Sequence, residues 1–398
     1  MAGFAVRIPR TTCRLFGAIK AVSTLKNTAI STLKNTAILV HGPKGCVYHI
    51  NYILGMRGDR PSEIYCTCLE EDDVIFGAEE RLEKAINELD ITLSPHLIIV
   101  FSCCASSIIG EDVAGAVNAS QARARVIGID TGGFEGDHIS GCAETLSRLA
   151  TELSLSGQTQ RPCTINIIGM LRAGPDLQEL KSILAEAGVE VNAVLAADAG
   201  LTELVNLGRA SLNVVVCETT GKSAAEALEQ KFGTPYLISE LPIGPRPTRD
   251  FLEEITRELG IAWIPTPETF PDISPNLSHC SRNIAIVSGP TRAVSMTRFL
   301  TGIGIVPALV IIDIDSGNVD KIRDLSGDRC RILVQPENEE IRESLRDCKI
   351  DLLIGGMMEL PLCAEMGIRH MDMMHGSEKT VGEAGTRNLL LVLSEKKE

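Results

Sequence analysis

Short apolar stretches recur along the chain and alternate with longer amphipathic stretches. In the first third, apolar runs at 38–40, 97–101 and 125–130 predict strands, whereas 79–89 and a segment that begins near 111 have helical spacing. Strands that alternate with helices form parallel sheets covered by helices on both faces. The pattern therefore predicts an α/β fold built from Rossmann-like units.

The alternation continues to the end of the chain and predicts two further units of the same kind. A polar linker at 156–162 separates the first unit from the second, and proline-rich passages at 241–250 and 264–275 precede the third. We expect three Rossmann-like domains with parallel sheets, at residues 1–157, 158–278 and 279–398. The later strands are predicted at 164–170, 191–195, 213–217, 235–239, 283–287, 307–312, 331–334, 351–354 and near 369.

One internal repeat interrupts this order, because the octapeptide STLKNTAI occurs at 23–30 and again at 31–38. Two copies do not make a solenoid, so we interpret the repeat as a local duplication. In a helix, eight extra residues would displace whatever precedes them by about 12 Å. The duplication lies between Cys13 and Cys46, so it affects how far apart these two cysteines can be.

Composition narrows the class of protein. The chain has 398 residues, 44% apolar content, a net charge of −14 and 13 cysteines. No apolar run is long enough to cross a bilayer, and the N-terminus lacks the apolar core of a secretory signal, so we expect a cytoplasmic protein that does not enter a membrane. A transit peptide is the less favoured alternative. Thirteen cysteines without a secretory signal indicate a reducing compartment, where thiols bind metal or stay buried.

Charge is uneven, because no Asp or Glu precedes Asp59 while Lys and Arg recur throughout that segment. A local positive excess in an acidic protein favours an acidic partner or a polycarboxylate ligand. The alternative is a solvated helix face. We expect no nucleic-acid partner, since the overall charge opposes it and aromatic residues do not interleave with the basic ones.

Three cysteines are candidate metal ligands. Cys46 follows a predicted strand in the sequence HGPKGC, Cys104 follows another in SCCASSIIGEDV, and Cys13 lies near the N-terminus. If the two strands are neighbours, their ends converge at the edge where open α/β sheets bind ligands. Iron–sulfur clusters normally have four cysteine ligands, so three per chain favour a site shared with a second subunit. For each cysteine alone, a buried structural thiol is the alternative.

Further candidates lie later in the chain. The GKS sequence at 221–223 imitates a phosphate-binding loop, but the motif requires a glycine where Val216 stands, so we expect no ATP binding by this chain. Cys217 and Lys222 remain candidates to face a cleft between domains. His375 follows the last predicted strand as a candidate proton donor or metal ligand, although a loop histidine is often neither. A CxC motif, Cys66 and Cys68, is a secondary metal candidate.

These motifs together resemble the nitrogenase component 1 type oxidoreductases. The resemblance is carried by HGPKGC, CLEEDDVIFGAEERL, CCASSIIGEDV, TGGFEG and CETTGKSAAEALEQKFGTPY, which are spread over most of the chain. It implies iron–sulfur cluster ligation by Cys13, Cys46 and Cys104. Cys104 is preferred to Cys103 because the family's cysteine stands six residues before the glycine that is Gly110 here. Cys217 matches a cofactor-binding cysteine of the family, and His375 lies one residue past a second cofactor ligand.

Within the family, the chain most resembles the branch that reduces and cyclises Ni-sirohydrochlorin a,c-diamide in nickel coenzyme biosynthesis. That resemblance implies a homodimer with four-iron four-sulfur clusters, a nickel tetrapyrrole as substrate and a separate ATP-dependent iron–sulfur reductase as partner, which alone binds ATP. Lys222 and Arg246 are then expected to pair with substrate carboxylates, and His375 to supply protons. The alternatives are a scaffold that carries a cofactor precursor, or a reductase of another tetrapyrrole.

Overall fold

The structure is a computed structural model. It describes residues 12–23, 36–57, 63–132, 134, 136–155, 157–197, 199–264, 283–314, 316–375 and 378–394. Most of the STLKNTAI duplication, at 24–35, lies outside the described residues, as do residues 265–275 of the second proline-rich passage. How the chain accommodates the duplication therefore stays open.

The first sheet has four parallel strands in the order β2-β1-β3-β4, so the strands that precede Cys46 and Cys104 are direct neighbours. Its strands are β1 (Thr36–His41), β2 (Ile64–Cys66), β3 (Leu97–Ser102) and β4 (Arg125–Ile129). The helices around it are α1 (Arg14–Val22), α2 (Lys44–Met56), α3 (Glu71–Phe76), α4 (Glu79–Leu93), α5 (Cys104–Ile109), α6 (Val113–Ala119) and α7 (His138–Leu153).

The second sheet is also parallel and has the order β6-β5-β7-β8. Its strands are β5 (Thr164–Ile168), β6 (Glu190–Leu195), β7 (Leu212–Val215) and β8 (Tyr236–Ile238). The accompanying helices are α8 (Pro175–Glu186), α9 (Leu201–Val205), a 3-10 turn (Leu207–Arg209), α10 (Glu218–Phe232) and α11 (Pro245–Glu258).

The third sheet has five parallel strands in the order β11-β10-β9-β12-β13. Its strands are β9 (Ile284–Ser288), β10 (Leu309–Ile312), β11 (Arg331–Val334), β12 (Leu352–Gly355) and β13 (Arg369–Asp372). Its helices are α12 (Pro290–Gly302), α13 (Asn318–Ser326), α14 (Asn338–Asp347), α15 (Leu360–Met366) and α16 (Gly382–Ser394), with 3-10 turns at Gly327–Arg329 and Met357–Glu359.

The predicted α/β class with parallel sheets is confirmed. The sequence missed β2, which has only three residues, and it placed Cys46 in a turn, whereas α2 already begins at Lys44. The exact domain boundaries stay predictions. The last helix, α16, packs back against α8 and α11 of the second unit, so the chain's end ties two units together.

The apolar cores extend across the three units. One cluster of buried side chains joins the second and third sheets, and another joins the first and second. Within the described residues, no helix combines the length and apolar character needed to cross a membrane.

Two glycines set the closest helix contact of the first unit. A Cβ on Gly17 of α1 would lie 1.7 Å from the His138 carbonyl oxygen, and one on Gly141 of α7 would lie 2.0 Å from the Arg14 carbonyl oxygen. Because neither residue has a side chain, α1 and α7 pack backbone against backbone. This contact fixes where Cys13, at the N-cap of α1, lies relative to the rest of the unit.

Candidate metal centre and interdomain cavity

The first site is the carboxyl edge of the first sheet. β1 and β3 pair along their whole length, with His41 opposite Ser102, and each leads directly into a helix that carries a cysteine near its start. Cys46 lies in the first turn of α2, and Cys104 is the first residue of α5. Cys46 and Cys104 are half-buried, whereas Cys13 is exposed.

The pKa of Cys46 is affected by the other cysteines at this edge. The pKa of the Cys46 thiol is raised by a hydrogen bond with Cys103 and by burial, and further by charge on Cys103, Cys104 and Cys13. All three predicted ligands are therefore within electrostatic reach at this edge. The pKa of Cys103 is lowered to about 6, chiefly by the hydrogen bond from Cys46 and then by donors at the start of α5. Metal binding at this edge would require the ligating thiols to lose their protons.

Cys103 is the residue that the sequence set aside in favour of Cys104. Its side chain is buried, and a Cβ on Gly42 would lie 2.5 Å from its Sγ, so only glycine fits beneath it. Cys66, at the end of β2, donates to the Gly42 carbonyl oxygen (3.1 Å) and accepts from the Cys68 N–H (3.3 Å). In the sequence, the adjacent pair Cys103 and Cys104 was the signal that Cys103 also lies at this edge.

The donor set at this edge consists of cysteine thiols, which are the usual ligands of iron–sulfur clusters. Among the described residues, no three His, Cys, Asp or Glu side chains are arranged to hold one metal ion. An iron–sulfur cluster binds its cysteines through different iron atoms, so its ligands surround a volume instead of meeting at a point. Several thiols on one exposed edge satisfy that requirement.

A buried polar network holds the loop between β1 and α2. The His41 ring lies 3.1 Å from Thr67 Oγ1 through Nδ1 and 3.3 Å from Glu111 Oε2 through Nε2. Thr67 Oγ1 also accepts the Gly42 N–H (3.1 Å). Burial lowers the pKa of His41, and the Glu111 carboxylate opposes that shift. The network fixes the backbone that leads to Cys46.

The second site is a cavity of about 270 Å³ where the three units meet. It contains both of the cofactor-site candidates Cys217 and His375, which are far apart in the sequence. Polar and ionisable side chains from all three units line it: Lys20, Arg57, His138, Cys142, Arg172, Cys217, Thr219, Thr220, Ser288, Thr291, Arg292, Asp313 and His375.

Cys217 occupies the N-cap of α10, just past β7. Its Sγ lies 3.2 Å from Thr219 Oγ1, and Thr291 Oγ1 donates to it at 3.7 Å. A Cβ on Gly169 would lie 2.9 Å from Cys217 Cβ, so a glycine is required for this close approach. The thiol is therefore held at the cavity wall by hydroxyl groups from two units.

His375 also lines the cavity and follows β13. Its Nδ1 accepts the Met357 N–H (3.4 Å) and lies 3.6 Å from Asp372 Oδ1. Asp372 Oδ1 also accepts the His375 backbone N–H (2.8 Å), which anchors the loop. The imidazole thus accepts a backbone N–H and lies close to a carboxylate at the cavity.

Two arginines of the cavity wall are tied to the chain that leads to His375. Arg172 Nη1 donates to the Met374 carbonyl oxygen (3.0 Å), and Arg292 Nη1 donates to the Met373 carbonyl oxygen (3.0 Å) and to Asp176 Oδ2 (3.1 Å). With Lys20 and Arg57, four basic side chains line the cavity, and Arg292 among them is paired with the Asp176 carboxylate.

The structure does not bring Lys222 or Arg246 to this cavity. The buried face of α10 includes Thr220, Gly221 and Ala224, so Lys222 points outward into solvent. Arg246 is at the start of α11 with its side chain 90% exposed, 3.9 Å from Asp250. The expectation that these two residues bind the cofactor finds no support at the cavity. The GKS sequence lies inside α10 instead of in a loop before it, so it does not form a phosphate-binding loop.

Comparison with known proteins agrees with this arrangement. Residues 26–396 match the family model described as nitrogenase component 1 type oxidoreductase. The chain is 27% identical to the nitrogenase iron-molybdenum cofactor biosynthesis protein NifE of Clostridium pasteurianum, over 88% of this chain and 81% of that protein. It is 25% identical to the nitrogenase molybdenum-iron protein beta chain of Methanococcus maripaludis, over 92% of this chain and 86% of that one.

Solved structures show the same fold. The structure described as nitrogenase Cp1 at pH 6.5 superposes with a TM-score of 0.83, covering 98% of this chain and 93% of that chain at 19% identity. The family model accounts for nearly all of the sequence, including every described strand, whereas Cys13 and α1 precede the matched range. The chain belongs to the nitrogenase component 1 type oxidoreductase family.

Proposed function

We propose that this chain is the catalytic component of a nitrogenase-like complex that reduces and cyclises Ni-sirohydrochlorin a,c-diamide. The observation that carries the proposal is the pairing of two sites in one chain. A thiol-rich edge suited to an iron–sulfur cluster adjoins a cavity with a basic wall, a thiol and an oriented imidazole. This combination suits an enzyme that passes electrons from a cluster to an organic substrate with carboxylate groups.

Cys13, Cys46 and Cys104 would hold a four-iron four-sulfur cluster, with Cys103 as a further thiol beside them. When bound, such a cluster supplies single electrons at low potential. The chain itself holds Cys46 and Cys104 in the first turns of α2 and α5, and the His41 network holds the loop before α2. These thiols lie at a sheet edge that a second subunit can cover.

A homodimer is the proposed assembly. The helix that carries Cys46 exposes Tyr48, Tyr52 and Met56, with exposed fractions of 75%, 57% and 41%, at a spacing that places them on one face. Ile108 of α5 is 68% exposed at the same edge. Large apolar side chains exposed together mark interaction surfaces. A second copy that covers them would also complete the ligand set of the cluster.

The cavity is the proposed substrate site. Its basic wall suits the carboxylates of a tetrapyrrole, and His375 is the proposed proton donor that accompanies each electron. A volume of about 270 Å³ is at the lower limit for small-molecule sites, so the macrocycle would extend into the cavity mouth. ATP would be bound and hydrolysed by a separate iron–sulfur reductase, as the resemblance implies.

The test is an anaerobic reaction of the protein with its reductase, ATP, dithionite and Ni-sirohydrochlorin a,c-diamide, followed by absorbance. The wild-type protein should change the tetrapyrrole spectrum, and Cys46→Ser and Cys104→Ser should lose both iron and turnover. His375→Ala should keep its iron and lose turnover. If both serine variants keep wild-type iron content, the cluster assignment is wrong.

A second candidate is a carrier of a cofactor precursor, which the similarity to a cofactor biosynthesis protein favours. The same reaction distinguishes the two, since a carrier would leave the tetrapyrrole spectrum unchanged. Repeating it with a different tetrapyrrole tests whether the enzyme acts on another member of that class.

A further inference from the structure

The backbone just before His375 is held by two arginine side chains. Arg292 Nη1 donates to the Met373 carbonyl oxygen at 3.0 Å. Arg172 Nη1 donates to the next carbonyl oxygen, that of Met374, also at 3.0 Å. Arg172 follows β5 of the second unit, whereas Arg292 is in the first turn of α12 in the third unit. Two separate elements therefore bind consecutive peptide groups immediately before the imidazole.

The chain after His375 is held by a carboxylate of α8. Asp176 Oδ1 accepts the Thr380 N–H (2.6 Å) and the Val381 N–H (3.2 Å). Asp176 Oδ2 accepts from Arg292 Nη1 (3.1 Å), and both side chains are largely buried. A largely buried ion pair competes less with water than an exposed one, so it holds its partners more firmly. Asp176 and Arg292 thus join the chain before His375 and the chain after it in one hydrogen-bonded network.

The start of α12 also contacts the other cofactor-site candidate. Thr291 Oγ1 donates to Cys217 Sγ at 3.7 Å, and Arg292 is the next residue. One helical turn therefore contacts the thiol with one side chain and the chain before His375 with the neighbouring one. Cys217 and His375 come from different units and line the same cavity. Their relative position therefore depends on the first turn of α12 and on its ion pair with Asp176.

We propose that Arg172 and Arg292 are positioning residues for His375, which act by holding the backbone of residues 373–374. This inference rests on the proposed function, in which His375 donates protons, and deepens it. Proton transfer requires the donor and the acceptor to be within hydrogen-bond distance. An imidazole displaced by about 1 Å would therefore slow turnover by up to roughly 100-fold, although the substrate still binds.

The first test measures backbone amide exchange by mass spectrometry in the ligand-free protein, in peptides that include residues 373–375. Arg172→Met and Arg292→Met remove the donors and keep long side chains. In each variant these amides should exchange at least about tenfold faster, as expected when a hydrogen bond from a charged group is lost. Arg172→Met leaves the ion pair between Asp176 and Arg292 in place, so it tests the proposal even if Arg292→Met does not fold.

The matched control is Arg298→Met. Arg298 lies on the same helix, pairs with Glu240 of the second unit (2.8 Å) and is not among the residues that line the cavity. Its replacement removes an ion pair between the same two units and should leave the exchange of 373–375 unchanged. Wild-type exchange in both Arg172→Met and Arg292→Met would overturn the inference. So would an Arg298→Met protein that exchanges as fast as they do, since the arginines would then only hold the units together.

Turnover separates positioning from substrate binding. In the anaerobic reaction with reductase, ATP, dithionite and Ni-sirohydrochlorin a,c-diamide, Arg172→Met and Arg292→Met should lower kcat at least about tenfold with KM unchanged. A raised KM with wild-type kcat would mean that the arginines bind the substrate, which also overturns the inference. If the wild-type protein does not change the tetrapyrrole, the proposed function fails. The exchange measurement needs no substrate, so it still decides whether the two arginines hold the backbone before His375.

Discussion

Replacing Gly17 with alanine should displace α1 and thereby disturb the metal centre. A Cβ at this position would lie 1.7 Å from the His138 carbonyl oxygen, whereas real contacts of this kind stay beyond 3.0 Å. The obstacle is backbone, so no side chain can rotate away. The helix must move outward by more than about 1 Å, and Cys13 at its N-cap must move with it.

The cost follows from what α1 buries. Leu15, Phe16, Ile19 and Val22 are almost fully buried, and each contributes about 1.5–3 kcal/mol through burial. A gap of about 0.5–1 Å forfeits a quarter to a half of such contact energy, which gives a loss of about 1.5–6 kcal/mol for the four side chains. Alanine regains roughly 0.5–1 kcal/mol of helix propensity. The free energy of unfolding should therefore fall by about 0.5–5.5 kcal/mol.

Thermal unfolding followed by circular dichroism measures this change, and iron per chain after anaerobic purification measures the effect on the metal centre. The matched control is Gly302→Ala at the end of α12, where a Cβ would meet nothing within 4 Å. That variant should melt at or slightly above the wild-type temperature with unchanged iron. A Gly17→Ala protein with wild-type melting and iron content would refute the backbone contact between α1 and α7.

Three further predictions concern other parts of the molecule. Cys46→Ser should lose most of the bound iron in a metal assay, while Cys348→Ser, at the end of α14 in the third unit, should retain it. Asp176→Asn should lower the free energy of unfolding by about 2–3 kcal/mol, because the part-buried Asp176 carboxylate pairs with Arg292 and accepts two backbone N–H groups of the chain after β13. Chemical denaturation measures this change. The control is Asp250→Asn, which should change stability little because the Asp250 side chain is largely exposed. The pKa of His41 is lowered in the folded state, so folded protein binds fewer protons and stability should fall as pH drops below 6.5. His41→Gln should flatten that dependence in unfolding midpoints measured across this range.

Sequence reasoning succeeded where the pattern is local. The strand at 97–101 is a continuous apolar run, as expected for a strand buried on both faces of a parallel sheet, and the structure has β3 there. The placement of Cys46 and Cys104 at one sheet edge required one more assumption, that their strands are neighbours. In the structure β1 pairs with β3, so this assumption is correct.

It was less successful where position depends on helix phase or on distant contacts. Lys222 was expected in the cleft because it follows a strand end, yet Gly221 and Ala224 form the buried face of α10 and turn it outward. That periodicity was visible in the sequence. The placement of His138 and Asp313 at one cavity was not, because separate units of the chain supply them. No local sequence pattern predicts that these two residues line the same cavity.

One short helix connects the two candidate sites. Cys13 caps α1 at the thiol-rich edge, while Phe16, Gly17 and Lys20 of the same helix line the cavity. At 1.5 Å per residue, Cys13 and Lys20 are separated by about 10 Å along the helix axis. Because Gly17 presses this helix against His138, a shift of α1 would move a proposed cluster ligand and a cavity wall together. The close packing of α1 on α7 is therefore the structural reason to treat the thiol-rich edge and the cavity as parts of one functional unit.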